Sequence, residues 1–248
     1  MSYFKPIAAI GFFSGPLLLA FSAEAQSTGS VFGPSVRATD RSIEYRGAVV
    51  PEEDGDESKI DHRLHYQHAL NDGLRLRAIV KGSSDGGDDL IYDYFQTELQ
   101  WQYQEKTDSG YAAALRFDGR LTDEGRGSDQ LGLNWTHNWQ LGDGWSVRAI
   151  GLTDYNLDED ADDGLFIETR GALYRKLSNG VRLGAESFID WGGTDTGFGS
   201  FNDQGHQLGP VVSFAPAPGW SLQARALFGL SDGADDADIS VFLTRRFD

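Results

Sequence analysis

Between Asp129 and Asn156 the chain alternates. Leu131, Leu133, Trp135, His137, Trp139 and Leu141 share one face of an extended backbone, while Gln130, Gly132, Asn134, Thr136, Asn138 and Gln140 share the other. After Gly142-Asp143-Gly144 the pattern resumes, with Trp145, Val147, Ala149, Gly151 and Tyr155 opposed to Ser146, Arg148 and Asp154. A period of two marks a strand with one apolar and one polar face. Two such runs across a tight Gly-rich turn form a hairpin. The rest of the chain repeats this unit, and strands are expected at 42–50, 60–70, 74–82, 90–104, 111–121, 130–141, 145–156, 165–177, 181–191, 207–215, 220–230 and 239–247.

The connections fall into two alternating classes. One is short: 71–73, 142–144, 178–180 and 217–219, with 105–110 the longest. Gly and Asn in these segments tolerate positive φ. The other is longer and acidic: 51–59, 83–89, 122–129, 157–164, 192–206 and 231–237. In a meander, alternate connections lie at opposite ends, so the object has a short-turn end and a long-loop end. That asymmetry is the one expected of an outer-membrane barrel.

The faces agree with it. Leu74, Leu76, Val80, Leu99, Trp101, Phe117, Leu183, Leu222 and Val241 occupy one side of their strands, opposite charged residues on the other. A charged lining on nearly every strand is costly in a dry core and cheap in a wet one. Tyr103, Trp139, Trp145 and Trp220 fall near the short-turn end, Tyr155 and Trp191 near the long-loop end, as in two interfacial girdles. The expected fold is therefore all-β: a closed antiparallel up-and-down transmembrane β-barrel of about 12 strands, within a range of 10–14. A soluble all-β sandwich explains the alternation equally well, but not the turn asymmetry or the aromatics at strand ends.

Composition narrows this further. The chain has 248 residues, and barrels of that size form single domains. No apolar run in its body is long enough for a transmembrane helix. Cys is absent, which excludes disulfides, thiol catalysis and Cys-ligated metals. A formal net charge of −17 argues against nucleic acid as a partner. Residues 1–25 have the form of a secretory signal peptide: Lys5, a mostly apolar Pro6–Phe21, and Ala23-Glu24-Ala25 as cleavage site. The organisation expected is 1–25 signal peptide, cleaved after Ala25; 26–41 a flexible periplasmic lead-in, or a short segment tucked into the barrel mouth; and 42–248 the barrel.

From Ser42 to Asp248 the chain resembles the Gram-negative outer-membrane β-barrel proteins as a class, in its amphipathic strands, alternating connections and near-terminal aromatic. Members of that class commonly end in an aromatic that the barrel assembly machinery reads; here Phe247 is penultimate and Asp248 follows. The resemblance implies outer-membrane location, with lipid, lipopolysaccharide and the assembly machinery as partners. In kind, the Arg-lined interior resembles that of the twelve-stranded channels for acidic oligosaccharides.

Alternation places Arg63, Arg75, Arg77, Arg116, Arg120, Arg148, Arg170, Arg182, Arg225 and Arg246 on the inner face, interleaved with Glu98, Asp118, Glu168 and Glu186. Arg46, Lys176, Glu44, Asp61, Asp154 and Asp190 share that face. A cationic strip in a wet lumen selects solutes by charge, so a pore for small hydrophilic, anionic solutes is one expectation. The bland alternative is a structural or adhesive barrel whose Arg–acid pairs close the lumen. A third reading is a hydrolase with an active site at the rim, where His206 lies near Asp203; His62 and His68 form a weak metal pair, and His137 reads as interfacial. The acidic loops, from Glu52–Glu57 to Asp158–Asp163 and Asp232–Asp238, offer oxygens for divalent cations at the lipopolysaccharide surface, but none has calcium-loop spacing. No cofactor and no protein-held metal are expected, and oligomeric state is not legible.

Overall fold

A computed structural model describes residues 27–51, 58–86, 89–158 and 164–247. Twelve strands form: β1 (Arg41–Val50), β2 (Lys59–Ala69), β3 (Leu74–Asp85), β4 (Ile91–Gln104), β5 (Tyr111–Thr122), β6 (Gln130–Gly142), β7 (Trp145–Asn156), β8 (Leu165–Lys176), β9 (Arg182–Gly193), β10 (Gly205–Phe214), β11 (Trp220–Gly229) and β12 (Ala237–Arg246). Each pairs antiparallel with its neighbours in sequence, and β1 pairs with β12, which closes the barrel. Closure leaves no unpaired edge facing lipid. The segment expected to be a signal peptide, with its expected cleavage site, lies outside the described residues, as do residues 52–57, 87–88 and 159–163 of the acidic loops.

The alternation maps onto the wall as expected. In β6, Leu131, Leu133, Trp135 and Trp139 are exposed on the outside while Asn134, Thr136 and Asn138 are buried inside. The β6–β7 turn shows why the hairpin is tight. Asp143 and Gly144 have φ of 48° and 80°, and positive φ at both central positions is the turn whose twist matches that of paired strands.

Several strands extend further than the pattern shows, β3 and β12 among them. β3 continues to Asp85 because Ser83, Ser84 and Asp85 pair with Asp61, Ile60 and Lys59. A register shift at Lys81/Gly82 against β4 breaks the alternation there. β12 begins at Ala237, paired with Phe228. Asp238, read from sequence as a loop acid, is thus a strand residue, fully buried inside the barrel.

The lead-in does not hang free below the barrel. Ala38 N donates to Asp72 Oδ1 in the short β2–β3 turn (2.8 Å). At the other end Ser27 Oγ donates to Asp61, whose strand neighbours Ala48 and Ser83 lie toward the long loops. The segment therefore enters at the short-turn end and runs up the lumen.

Candidate functional site: the lumen and the segment inside it

The lumen has two unlike halves. On β1–β6 and β8 it is charged. Glu98 lies between Arg77 (2.8 Å) and Arg116 (3.3 Å), and Glu44 holds Arg46 at 2.6 Å. Arg170 is paired with Glu168 at 2.5 Å. Asp118 accepts from Gln96 (2.8 Å) and Asn134 (2.6 Å), while Arg63 donates to the Tyr94 hydroxyl and Arg120 stacks on the Tyr94 ring. On β7–β11 the wall also carries charges, Arg148, Arg182, Glu186 and Arg225 among them, but it is here that the apolar side chains gather. Ile150, Leu152, Tyr174, Phe188, Val211 and Leu227 form a buried cluster with Val31 and Phe32 of the lead-in.

The lead-in bridges these halves. Its apolar side chains pack on the apolar wall, and its carbonyls are taken by arginines of the barrel. Arg225 donates to the carbonyls of Ser27 (2.8 Å) and Gly29 (3.0 Å). Arg46 bonds Thr28 O (2.8 Å), Arg170 bonds Ser30 O (3.2 Å) and Arg148 bonds Val31 O (2.8 Å). Gln100 reaches the Gly33 and Pro34 carbonyls, and the Arg116 guanidinium lies 3.7 Å from the centre of the Phe32 ring. Hydrogen bonds from a charged donor contribute about 1.5–3 kcal/mol each, so the arginines fasten the segment at least as firmly as its apolar burial does.

Two cavities remain beside the segment. The smaller, about 40 Å³, is lined by both signs, including Arg63, Arg77, Arg116, Asp118, Asp154 and Glu168. The larger, about 350 Å³, opens toward the short-turn end and is lined by Arg46, Arg75, Arg77, Arg148, Arg182 and Arg246, with Glu44 as its acid. Ser30, Phe32, Arg46 and Arg77 are common to both walls. Arg75 bonds the neutral Gln100 (2.7 Å), Arg148 bonds Asn138 (3.2 Å) and Arg182 bonds Ser213 (3.1 Å). None of these three arginines, nor Arg246 at the mouth, forms a salt bridge among the described residues.

The inner set read from alternation is thus brought to one lumen, but not to one site. Arg225 and Glu186 (3.3 Å apart) lie deep beside the start of the segment, the Glu98 and Asp118 groups at mid-height, and Arg75, Arg148, Arg182 and Arg246 around the larger cavity. Sequence reasoning missed the apolar half. Its signal was present as Ile150, Leu152, Phe188 and Leu227 on the charged face, and as Val31-Phe32 in a Ser/Gly-rich stretch.

The histidines separate. His62 is on the outer face, bonded to the Tyr45 hydroxyl (2.7 Å), and His68 is exposed on that face. His137 stacks with Tyr111 and Trp139 on the outside of β5 and β6. His206 meets Gln204 (2.9 Å) and stacks on Phe201, not on Asp203. Asp203 instead accepts from Ser200 N and Oγ, both at 2.7 Å, which holds its carboxyl below the ordinary value. No Asp–His pair forms at this rim among the described residues. His65 is inside, with both ring nitrogens lacking a hydrogen-bond partner among the described residues. Among them, too, no group of His, Asp or Glu is arranged to hold a metal ion.

Comparison with known proteins places this geometry. A family model described as "Putative MetA-pathway of phenol degradation" matches residues 71–238. No curated protein matches. Among solved structures, an outer-membrane channel from Pseudomonas putida F1 is similar at TM-score 0.61 and 13% identity, over 88% of this chain and 98% of that one. The KdgM porin, solved in complex with disordered oligogalacturonate, is similar at TM-score 0.59 and 13% identity, over 84% and 99%. The NanC porin is similar at TM-score 0.57 and 12% identity, over 83% and 99%. At such identities the likeness is one of fold: the chain has the closed twelve-stranded architecture of outer-membrane channels.

Proposed function

Since the chain belongs to the family described as a putative MetA pathway of phenol degradation, and since its barrel is of the outer-membrane channel type, we propose that it is a narrow pore for small hydrophilic solutes, with a preference for anions. The observation that carries this is the larger cavity. Arg75, Arg148 and Arg182 face it without a carboxylate partner, and Glu44 is its acid against six arginines. Fixed guanidinium groups around water raise the local concentration of anions and lower that of cations. The lead-in narrows the path to the space beside Phe32, Arg46 and Arg77, which sets an upper limit on solute size. The family description names phenol degradation, so small aromatics belong in the test, and an aromatic acid among them would find guanidinium partners for its carboxylate in these arginines.

A second reading is a barrel with a closed, structural lumen. The arginine-to-carbonyl bonds along the lead-in favour it, because they fix the segment across the path. Ion conduction of the purified protein in planar bilayers separates the two. A small ohmic current with a reversal potential on the anion side is expected, with benzoate permeating better than phenol. Absence of current at any potential would leave the closed barrel.

A further inference from the structure

In the wall of the smaller cavity, buried donors stand without acceptors. Its basic side is built by β1–β3, with Arg46, Arg63, His65 and Arg77. His65 is 2% exposed, and neither of its ring nitrogens has a hydrogen-bond partner among the described residues. The same holds for Nε of Arg63, Arg116 and Arg120 in the same wall. An arginine Nε only donates, and at least one ring nitrogen of a histidine carries a proton. A donor buried without an acceptor is costly. Asn134 Oδ1 is an unpartnered acceptor of this wall, but it stands on β6, whereas Arg63 and His65 are both on β2. On their side an acceptor is missing.

Charge decides which acceptor it is. Glu44 holds Arg46, Glu168 holds Arg170, and Glu98 is divided between Arg77 and Arg116. Asp118 and Asp154 lie close enough to Arg116 and Arg120 to offset them. With Arg63 included, six guanidinium groups meet these five carboxylates, and the surplus falls on Arg63. Its partner is the neutral Tyr94 hydroxyl, and it forms no salt bridge among the described residues. The neighbouring Asp61 and Asp93 are balanced by Lys81 and Arg126. At His65, two residues along the same face, the strongest charged neighbours are all arginines: Arg46, Arg77, Arg63 and Arg116. Water satisfies the donors but leaves the charge. We propose that the smaller cavity holds one small monovalent anion, of halide size, bound by Arg63 and His65. The space of about 40 Å³ admits a single large atom, since about 10–15 Å³ suffices for a water. The anion supplies the missing acceptor and closes the charge count. Arg46 and Arg77 also line the larger cavity, so the bound anion stands just beyond that cavity's inner end.

Bromide tests this on the folded protein, because it substitutes for chloride and scatters X-rays anomalously. Crystals grown in bromide are expected to show an anomalous peak in the smaller cavity, within hydrogen-bond reach of Arg63 and His65. An empty map there would overturn the proposal and leave water as the occupant. Stability in solution is the second arm. An anion that binds only the folded barrel lowers its unfolding constant by a factor of one plus the ratio of anion concentration to Kd, about tenfold for about 0.3 M chloride at a Kd of about 30 mM. Urea unfolding in lipid vesicles is compared in chloride and in gluconate, which is too large for the space, at equal ionic strength. A difference of at least about fivefold is expected. Arg63→Gln and His65→Leu, each checked for a heat-modifiable barrel on gels, should bring it below about twofold; His65→Leu keeps every arginine. A wild-type difference below about twofold would mean binding at crystal concentration only and would overturn the proposal. So would a difference that either folded variant leaves intact, the result expected if chloride acts on the larger cavity. Neither arm measures conduction. A closed barrel that binds bromide here keeps the site and loses the pore, and a conducting barrel that does not bind it keeps the pore and loses the site.

Discussion

Glu98 shows how the charged half of the wall is held. One carboxylate serves Arg77 and Arg116 from the two neighbouring strands, at a site where Glu98 is 5% exposed. Removing its charge leaves two guanidinium groups facing each other, and breaking a buried pair from one side costs about 3–5 kcal/mol. Glu98→Gln is expected to lower the unfolding free energy by about 3 kcal/mol, near the bottom of that range, because the adjoining cavity admits water. Urea titration of the barrel in lipid vesicles reads this, and a loss under about 1 kcal/mol would show that the arginines have other support. Asp203 gives a residue-scale pH effect. Ser200 holds its carboxyl below the ordinary value, so the stabilisation of the loop is fully present above the ordinary carboxylate range. It is lost only as pH falls through the lowered value. The Ser200 amide resonance should titrate with a midpoint below about 3.9, the unperturbed value for Asp. Ser200→Ala should move that midpoint up.

At the scale of elements, the lead-in is the part whose removal changes the object most. Phe32 is its anchor: it packs in the apolar cluster and lies under Arg116. Phe32→Ala removes about 3–5 kcal/mol of packing where the site cannot collapse, and the barrel wall, closed by its own ladder, does not depend on it. The variant should keep its heat-modifiable barrel while the segment leaves the lumen more often, seen as more frequent openings and a larger mean current. Deleting residues 27–38 should give the limiting, fully open conductance. Equal currents for the wild type and the deletion would show that the segment does not bound the path.

At the scale of the whole molecule, the charge distribution is polar along the barrel axis. Uncompensated arginines line the cavity at the short-turn end, the end that faces the periplasm in barrels of this class, while Asp232, Asp235 and Asp236 lie at the opposite rim. The protein carries a formal net charge of −17, yet the path it encloses is locally cationic. Selectivity should follow the lining and not the total. Replacing Arg75, Arg148 and Arg182 together with Gln is expected to shift the reversal potential toward zero under a salt gradient. The shift should shrink as ionic strength rises and the Debye length falls below about 8 Å. A reversal potential unmoved by the triple change would place the selectivity elsewhere.

The architecture was legible without coordinates because a strand in a barrel wall has two solvents, and each side chain must suit the one it faces. That requirement is local and has a period of two, so β6 and β7 can be read from their own residues. The inward set from Arg63 to Arg246 follows from the same rule. The rule fails where the lumen is filled by protein. Ile150, Leu152 and Phe188 face inward yet are apolar, because their neighbour is the lead-in and not water. Ser27–Val36 has no period of its own, since it forms no ladder and takes its bonds from Arg46, Arg148, Arg170 and Arg225 on strands far apart in sequence. Which arginines keep a carboxylate and which face open water depends on cross-strand register and on that segment's course. Both are set by contacts between distant residues, so local alternation determined the wall and only the tertiary structure decided what stands inside it.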